Sequence, residues 1–465
     1  MTPMIPVELQ QILSGTPELE RANLVGGCVR DWLLGLQPKD LDVEVFGVSY
    51  DRLVKALSRW GGTDVVGRSF GVVKLNLPGG GSYDFSIPRR DSKVGPGHTG
   101  FRMTFDSAIT PRDAAARRDY TINAIAYDPR SGEWLDFFEG RRDLQRRILR
   151  HTSEAYTEDP LRVLRGMQLA GRFNLEPAPE TVQLCREIAG TYSELAVERV
   201  GQEWFKWAAR STVPSAGLRF LQATGWIRHF PELAALQGLP QDPGWHPEGD
   251  VFAHTCHCCD ALASLPAWQA ADEESRVVYM LAVLAHDFGK AETTQEAVIE
   301  GRTRIVSPGH DRAGVPRAER FLERIDSPTA IACRVVPLVA NHMAHLQVVS
   351  DRVVRRLARR LAPETLDGLC LVMTADSFGR PPSPRRLPEA VVALQDKAAE
   401  LNLRDRAPKP ILLGRHLIEA GRKPGPEFAR ILEAAFEAQL EGQFADLAGA
   451  RRWLNDWLER SDPGC

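Results

Sequence analysis

Several things are scarce in this chain of 465 residues. No apolar run approaches the roughly eighteen residues of a membrane helix, and the N-terminus carries no basic patch leading into an apolar stretch and a small-residue cleavage site. A cytoplasmic location is therefore expected, with no membrane partner. Cysteine is thin: the eight residues are scattered apart from Cys256, Cys258 and Cys259, which argues against a secreted disulfide framework and predicts reduced thiols. No internal repeat is present, which sets aside a solenoid. A basic excess is missing too, because 58 Lys and Arg stand against 61 Asp and Glu for a formal net charge of −3. Any nucleic-acid surface must then be local.

What is present is ordinary globular composition, 43% hydrophobic and 26% charged, which leaves only local disorder. At about 150 residues per domain the length suggests about three modules. Basic stretches occur at residues 112–118, 141–150 (RRDLQRRILR) and 352–360 (RVVRRLARR), each equally readable as a solvated helix face. Short β-like runs at 22–25, 41–46, 72–77 and 82–87 alternate with helical stretches, the pattern of a small α/β unit. Beyond about Thr152 the β signal fades, and Leu161, Leu164, Met167 and Leu169 recur at helical spacing. Pro and Gly cluster at 236–250 and 379–389. The expected fold class is α+β: a mixed-sheet head (1–150), then an all-helical neck (151–235), a helical domain (236–385) and a helical tail (386–465).

The strongest chemical signal is LVGGCVRDWLLGLQPKDLDVEVFG. A β-run ends at Val25, Gly26 and Gly27 let the backbone turn and approach a phosphate, and a helix begins behind them. The backbone N–H groups there, with Arg30, suit a triphosphate. Asp40 and Asp42 flank Leu41, and period-two alternation puts both carboxylates on one strand face. Two like charges 4 Å apart repel by about 4 kcal/mol at an effective dielectric near 20. A divalent cation removes that penalty, and two cations about 3.5–4 Å apart suit in-line displacement of pyrophosphate by a 3′-hydroxyl. Mg²⁺, which takes a few carboxylates plus phosphate oxygens and water, is the expected ion. Asp84, in the run SYDFSIP, is a third candidate acid whose other reading is a solvated strand residue.

GG-x-VRD-x-LLG followed by D-x-D resembles the head of the class II tRNA nucleotidyltransferase and bacterial poly(A) polymerase family, within the DNA polymerase β superfamily. Two further segments extend the likeness. RRDYTINAIAYD resembles the family's second motif, which implies sugar and phosphate contacts by Arg118 and Asp119 with Asn123 in support. EDPLRVLR resembles its nucleotide-selecting motif, which implies that Asp159 and Arg162 read the Watson–Crick edge of the incoming base and that Arg165 meets a phosphate. Three residues apart, that pair would share a helix face. A carboxylate accepts from an exocyclic amine and a guanidinium donates to a ring nitrogen or carbonyl, so one pair suits CTP and ATP against UTP and GTP. VERVGQEW resembles a motif in which Glu198 and Arg199 buttress the neck. Gly and Pro in RRDSKVGPGHTGFRMTFDSAIT (89–110) predict a mobile loop, which related enzymes need for adding a terminal A.

A second resemblance, to an HD phosphohydrolase domain, runs through GDVFAHTCHCCDAL, LAHDFGK, SPGHDRAG, NHMAHL and TADSFG. It implies a transition metal such as Ni²⁺ or Mn²⁺ at His254, His286, Asp287 and Asp376, with His310, His342 and His345 as candidates for a second ion. The cysteines beside His254 and His257 are set aside as zinc ligands, since no second Cys/His pair lies at zinc-site spacing. The tail has a turn at 423–425 between two amphipathic patterns, and the resemblance implies a tRNA contact there. Together these motifs imply addition of C, C and A to a tRNA 3′ end from CTP and ATP, with no role for DNA. Poly(A) addition, A-only or CC-only activity, and a metal-dependent phosphohydrolase with an RNA-binding head remain open alternatives at the level of sequence.

Overall fold

The computed structural model describes residues 3–64, 71–93, 101–105, 108–344 and 348–461. Strand β1 (Ala22–Val25) is buried along its length, whereas β2 (Asp42–Val45) turns Val43 and Val45 to the core and leaves Asp42 and Glu44 on the other face. That is the pleat of a half-buried strand. With β3 (Gly62–Asp64), β4 (Val72–Asn76), β5 (Ser82–Ser86), β8 (Ala126–Tyr127) and β9 (Trp134–Leu135) they form one mixed sheet, ordered β3-β4-β5-β2-β1-β8-β9. All neighbours are antiparallel except β2 and β5, which run parallel. Leu24, Val43, Val45, Leu53, Val73, Leu75 and Phe85 make the core beneath it.

Between β5 and β8 lies a separate antiparallel hairpin, β6 (Arg89–Lys93) with β7 (Phe101–Phe105). It falls in the stretch expected to be a loop; residues 94–100, 106 and 107 of that stretch lie outside the described residues. The helix Leu161–Phe173 follows the head and packs on Val197–Arg210 and Pro214–Thr224, with Trp204, Trp207 and Phe220 fully buried. Contacts along the chain divide it into Met1–His229 and Phe230–Cys465.

The second unit is helical, as expected, with one exception. Gln295–Ile299 and Arg302–Val306 pair as a hairpin. Glu300 and Gly301 both have positive φ, 52° and 74°, the backbone of a two-residue turn whose twist matches the flanking strands. Reading helical periodicity alone misses it, because both strands are largely solvated and carry little apolar alternation. The helices Val251–Ser264, Glu273–Ala285, His310–Arg324, Thr329–Asn341 and Leu366–Phe378 carry or adjoin the histidines and aspartates noted above. Towards the C-terminus, Pro426–Leu440 and Leu447–Ser461 close a small core of Leu412, Leu417, Ile431, Ala435, Phe444 and Leu454. No helix among the described residues is long and apolar enough to cross a membrane.

Candidate active sites

The head acids meet through strand register. Asp42 is the Cα partner of Asp84 across the parallel β2–β5 pair, so both carboxylates leave the same face of the sheet. Asp40 precedes the strand, which begins at Asp42, so its place beside Asp42 comes from the loop and not from pleat alternation. Asp42 is exposed, yet loss of hydration and the charges of Asp84 and Asp40 raise its carboxyl above the ordinary range, against the pull of Arg118. Gly26 stands over this group at φ 75°, and a Cβ there would lie 3.1 Å from Arg118 Nη1 and 3.7 Å from Asp42 Oδ2. Only glycine tolerates that backbone and leaves the approach open. Arg118 also lies 3.5 Å from Glu44, an acid on the Asp42 face that sequence reading overlooked. Among the described residues, every set of three ligand atoms within 4.8 Å of one another belongs to the second unit. The head carboxylates stand wider, so an ion there would complete its shell with substrate oxygens and water.

Other residues expected around the nucleotide are joined in a brace that is buried except at Arg165, whose side chain is 44% exposed. Arg30 is 5% exposed, donates to Asp31 Oδ1 and Asn123 Oδ1, and lies 4.4 Å from the Phe173 ring centre. Its guanidinium is thus engaged by protein and does not point free towards a triphosphate. Asn123 Nδ2 donates to Asp119 Oδ1, and Asp119 Oδ2 accepts from Arg165 Nε at 2.7 Å. Although burial opposes it, Arg165, Asn123 and the Tyr120 N–H hold the Asp119 carboxyl down at about 2. Both oxygens already accept from protein, and the Asp119–Arg165 pair ties the head to the neck helix, so the sugar and phosphate contacts expected of the two residues would use the remaining lone pairs of Asp119 and the exposed N–H groups of Arg165.

The selecting motif also differs from the helix-face picture. Pro160 starts the helix at Leu161, and Asp159 sits before it with extended backbone, its Oδ1 accepting from the Leu161 N–H. Its Oδ2 accepts from Arg199, so Asp159 is oriented by the ERV segment and not by Arg162. Arg162 donates to the Ala155 and Arg117 carbonyls. The two side chains are therefore held independently on either side of the helix start.

In the second unit, histidine and aspartate interleave in the dark interior of the helices. His254 Nε2 lies 3.1 Å from Asp376 Oδ1 and 3.6 Å from Asp287 Oδ2. Asp287 reaches both ways: Oδ2 is 3.2 Å from His286 Nε2, and Oδ1 is 3.4 Å from His310 Nε2. His310 and His342 face each other at 3.1 Å. Among the described residues three metal-competent groups result: His254 with Cys258, His286 and Asp376, and Asp287 with His310 and His342, all buried, and the half-buried His246 and Glu248 with His254. His345 lies outside the described residues. His286 Nε2, Asp287 Oδ2 and Glu248 Oε2 are buried with no hydrogen-bond partner among the described residues, which is the condition of donor atoms awaiting a cation. Lys290 Nζ does approach Asp287 Oδ2 at 2.7 Å, as an ion pair without hydrogen-bond alignment.

Charge in this pocket keeps the aspartates ionised, while, although burial opposes it, Cys258, Asp376 and Glu248 raise the His254 pKa well above its ordinary value. Against burial, His286 and Lys290 hold Asp287 well below the usual carboxylate range, and Arg380 and His254 do the same for Asp376. Burial, with His286 and His310 alongside, lowers His342 to about 3, so its ring is neutral. Glu248 Oε1 stands 2.7 Å from His254 Nδ1 and 2.8 Å from His246 Nδ1, which turns His254 Nε2 inward, the usual carboxylate support of a ligating imidazole. A cavity of about 410 Å³ opens beside Asp287, His310 and Asp376, lined also by Lys290, Arg380 and Trp245.

Comparison with known proteins places these sites in a lineage. Residues 22–150 match the poly A polymerase head domain. The multifunctional CCA protein of Pasteurella multocida is 36% identical over 370 residues, 77% of this chain and 83% of the relative, and that of Xanthomonas campestris pv. campestris is 37% identical over 369 residues, 77% and 85% of the two chains. This chain belongs to the multifunctional CCA protein family. At the level of fold it is similar to the Bacillus stearothermophilus CCA-adding enzyme in complex with CTP, with a TM-score of 0.65 at 20% identity over 99% of this chain and all of the other. It is likewise similar to the Thermotoga maritima CCA-adding enzyme complexed with tRNA, with a TM-score of 0.60 at 18% identity over 98% and 97% of the two chains. Membership in the multifunctional CCA protein family implies use of a divalent cation, and both the head acids and the buried clusters offer donors for one. Sequence reading overlooked Glu44, whose partner Arg118 is remote in sequence, and also His246, Glu248, Lys290 and Arg380, although Lys290 and Arg380 follow Asp287 and Asp376 at helical spacing and Glu248 lies within eight residues of both its histidines. Cys258 was visible as the residue one turn beyond His254, a signal that spacing to other cysteines obscured.

Proposed function

We propose that this chain completes the 3′ end of tRNA, adding C, C and A from CTP and ATP with no nucleic-acid template. The observation that carries the reading is Asp42 in register with Asp84, beside Gly26 and Arg118, in a member of the multifunctional CCA protein family. Asp40, Asp42 and Asp84 would hold Mg²⁺, which would supply positive charge against the negative charge building on the transferred phosphate. Gly26 leaves room for the phosphates, and Arg118 attracts them. Asp159 accepts from the exocyclic amine common to cytosine and adenine, and Arg162 donates beside it. Asp159 retains lone pairs beyond those given to Leu161 and Arg199, and Arg162 retains N–H donors beyond the two given to carbonyls. Arg30, Asn123, Asp119 and Arg165 keep head and neck in one geometry while the sugar is bound.

In this reading residues 1–150 perform transfer, 151–235 select the base, and 386–465 contact the tRNA. Purified protein given each NTP singly, with tRNA lacking CCA, tRNA ending in CC and an unrelated oligoribonucleotide, tests it. CTP followed by ATP on the tRNAs is expected. Long A tracts on the unrelated RNA would instead make it a poly(A) polymerase, and incorporation of only A or only C would make it a partial enzyme.

A second activity, phosphoester hydrolysis by residues 236–385, is favoured by Asp287 lying between two histidine groups at the edge of a cavity carrying Lys290 and Arg380. The aspartate and histidines would hold a transition metal, whose chemistry there would be to lower the pKa of water towards neutrality. Lys290 and Arg380 attract the phosphate, and Trp245 offers a face for stacking. Release of product from a model phosphodiester with Ni²⁺ or Mn²⁺, lost in Asp287→Asn, is the expected result; no turnover with either ion would remove this second reading.

A further inference from the structure

Four donor atoms meet in the second unit without recourse to Asp287. His254, Cys258, His286 and Asp376 are all buried, and one atom of each lies within 4.8 Å of the others. Cys258 follows His254 by one turn on Val251–Ser264, so the two side chains share a face. Its Sγ is 3.3 Å from His254 Nε2, which is itself 3.1 Å from Asp376 Oδ1. In a tetrahedral site with bonds of roughly 2.0–2.3 Å, adjacent ligand atoms stand roughly 3.3–3.8 Å apart. The observed separations are close to those of atoms sharing one ion. The place of the sulfur is also cleared by the fold: a Cβ on Gly379 would fall 2.4 Å from Cys258 Sγ, so the backbone ending the Asp376 helix bears no side chain there. His286 Nε2, buried and without a hydrogen-bond partner among the described residues, completes the set.

We propose that Cys258 is a ligand of this centre, so that the ion on the His254 side is held by two imidazoles, one carboxylate and one thiolate. The proposal rests on reading the cluster as a metal centre and adds which ion it selects. Imidazole and carboxylate alone accept the ordinary divalent series, whereas a thiolate favours Zn²⁺ or Co²⁺ over Mn²⁺ and Mg²⁺. The thiol proton leaves to solvent as the ion binds. Asp287 is then left to serve His310 and His342. Because Asp287 Oδ2 also lies 3.2 Å from His286 Nε2, the experiment must tell sulfur from oxygen.

Full-length protein stripped of metal is titrated with Co²⁺ alone, reading bound cobalt by elemental analysis and the sulfur-to-cobalt charge-transfer absorption in the near ultraviolet. Bound cobalt with that band is expected in the parent chain, and bound cobalt without it in Cys258→Ser. Zn²⁺ affinity should fall on the order of 10–100-fold in Cys258→Ser, the range commanded even by groups that only support ligands, while Mn²⁺ affinity holds. Cobalt bound without the band in the parent chain, or a band that survives in Cys258→Ser, overturns the thiolate and leaves the metal centre standing, provided His286→Ala loses the cobalt. Parent protein that binds cobalt no better than His286→Ala overturns the centre and the proposal together. Should circular dichroism show Cys258→Ser unfolded, the parent band and its loss in His286→Ala still decide.

Discussion

The head and the second unit solve one problem, holding anionic ligands together, in opposite ways. In the head, Asp40, Asp42 and Asp84 are all carboxylates, with Asp40 and Asp42 exposed and Arg118 as the neighbouring cation. In the second unit the aspartates alternate with imidazoles and are flanked by Lys290 and Arg380, so the group is compensated and can be buried. Burying charge is tolerable only when it is paired. An all-carboxylate site must stay hydrated and wide until a substrate brings its cation, whereas a mixed site can be assembled in advance. The first arrangement suits an ion that arrives with a nucleotide, and the second a resident ion.

Several perturbations test that contrast. The largest effect is expected from Asp42→Ala, which should lower both CTP and ATP incorporation by about a thousandfold or more, on the order of 4 kcal/mol of transition-state stabilisation. Retained turnover would mean the open acids are not the reacting centre. Next, Asp119→Asn should destabilise the first unit by about 3 kcal/mol, at the low end for a broken buried pair because Arg165 is half exposed, as read from a urea midpoint. The same pair sets a pH window. Asp119 is depressed to about 2 in the folded chain, so its contribution is complete above the unfolded value near 4 and disappears as pH falls from there through about 2. Acid unfolding that is unchanged between parent and Asp119→Asn would contradict this.

A smaller effect belongs to base choice. Arg162→Ala should reduce discrimination of CTP against UTP by about 1–3 kcal/mol, seen as misincorporation in single-nucleotide assays. The smallest is expected at the basic stretch 352–360. Arg352, Arg356 and Arg359 pair with Glu433, Glu437 and Glu441 of the tail, so this stretch is largely neutralised within its own unit. Arg356→Ala should then cost less than about 1 kcal/mol of stability and leave the salt dependence of tRNA binding nearly as it was. A marked loss of tRNA affinity would show the arginines contacting phosphate after all.

Much of the molecule could be read from residue order. Local patterns sufficed for β1, β2, β4 and β5 and for most of the helical remainder, because strand alternation, glycine turns and helical spacing are short-range signals. Residue order could not say which polar groups are spent on one another. Arg30, Asp119, Asn123 and Arg165 have the composition of a nucleotide site, but packing of the neck helix on the head turns them into a brace. Asp84 became the partner of Asp42 only through a parallel pairing between strands some forty residues apart. Cys258 entered a ligand set only because the Asp376 helix, more than a hundred residues later, ends in a glycine against it. The side chains themselves are local properties; how they ionise, which of them face each other, and which stay free for substrate depends on long-range packing that no single segment encodes.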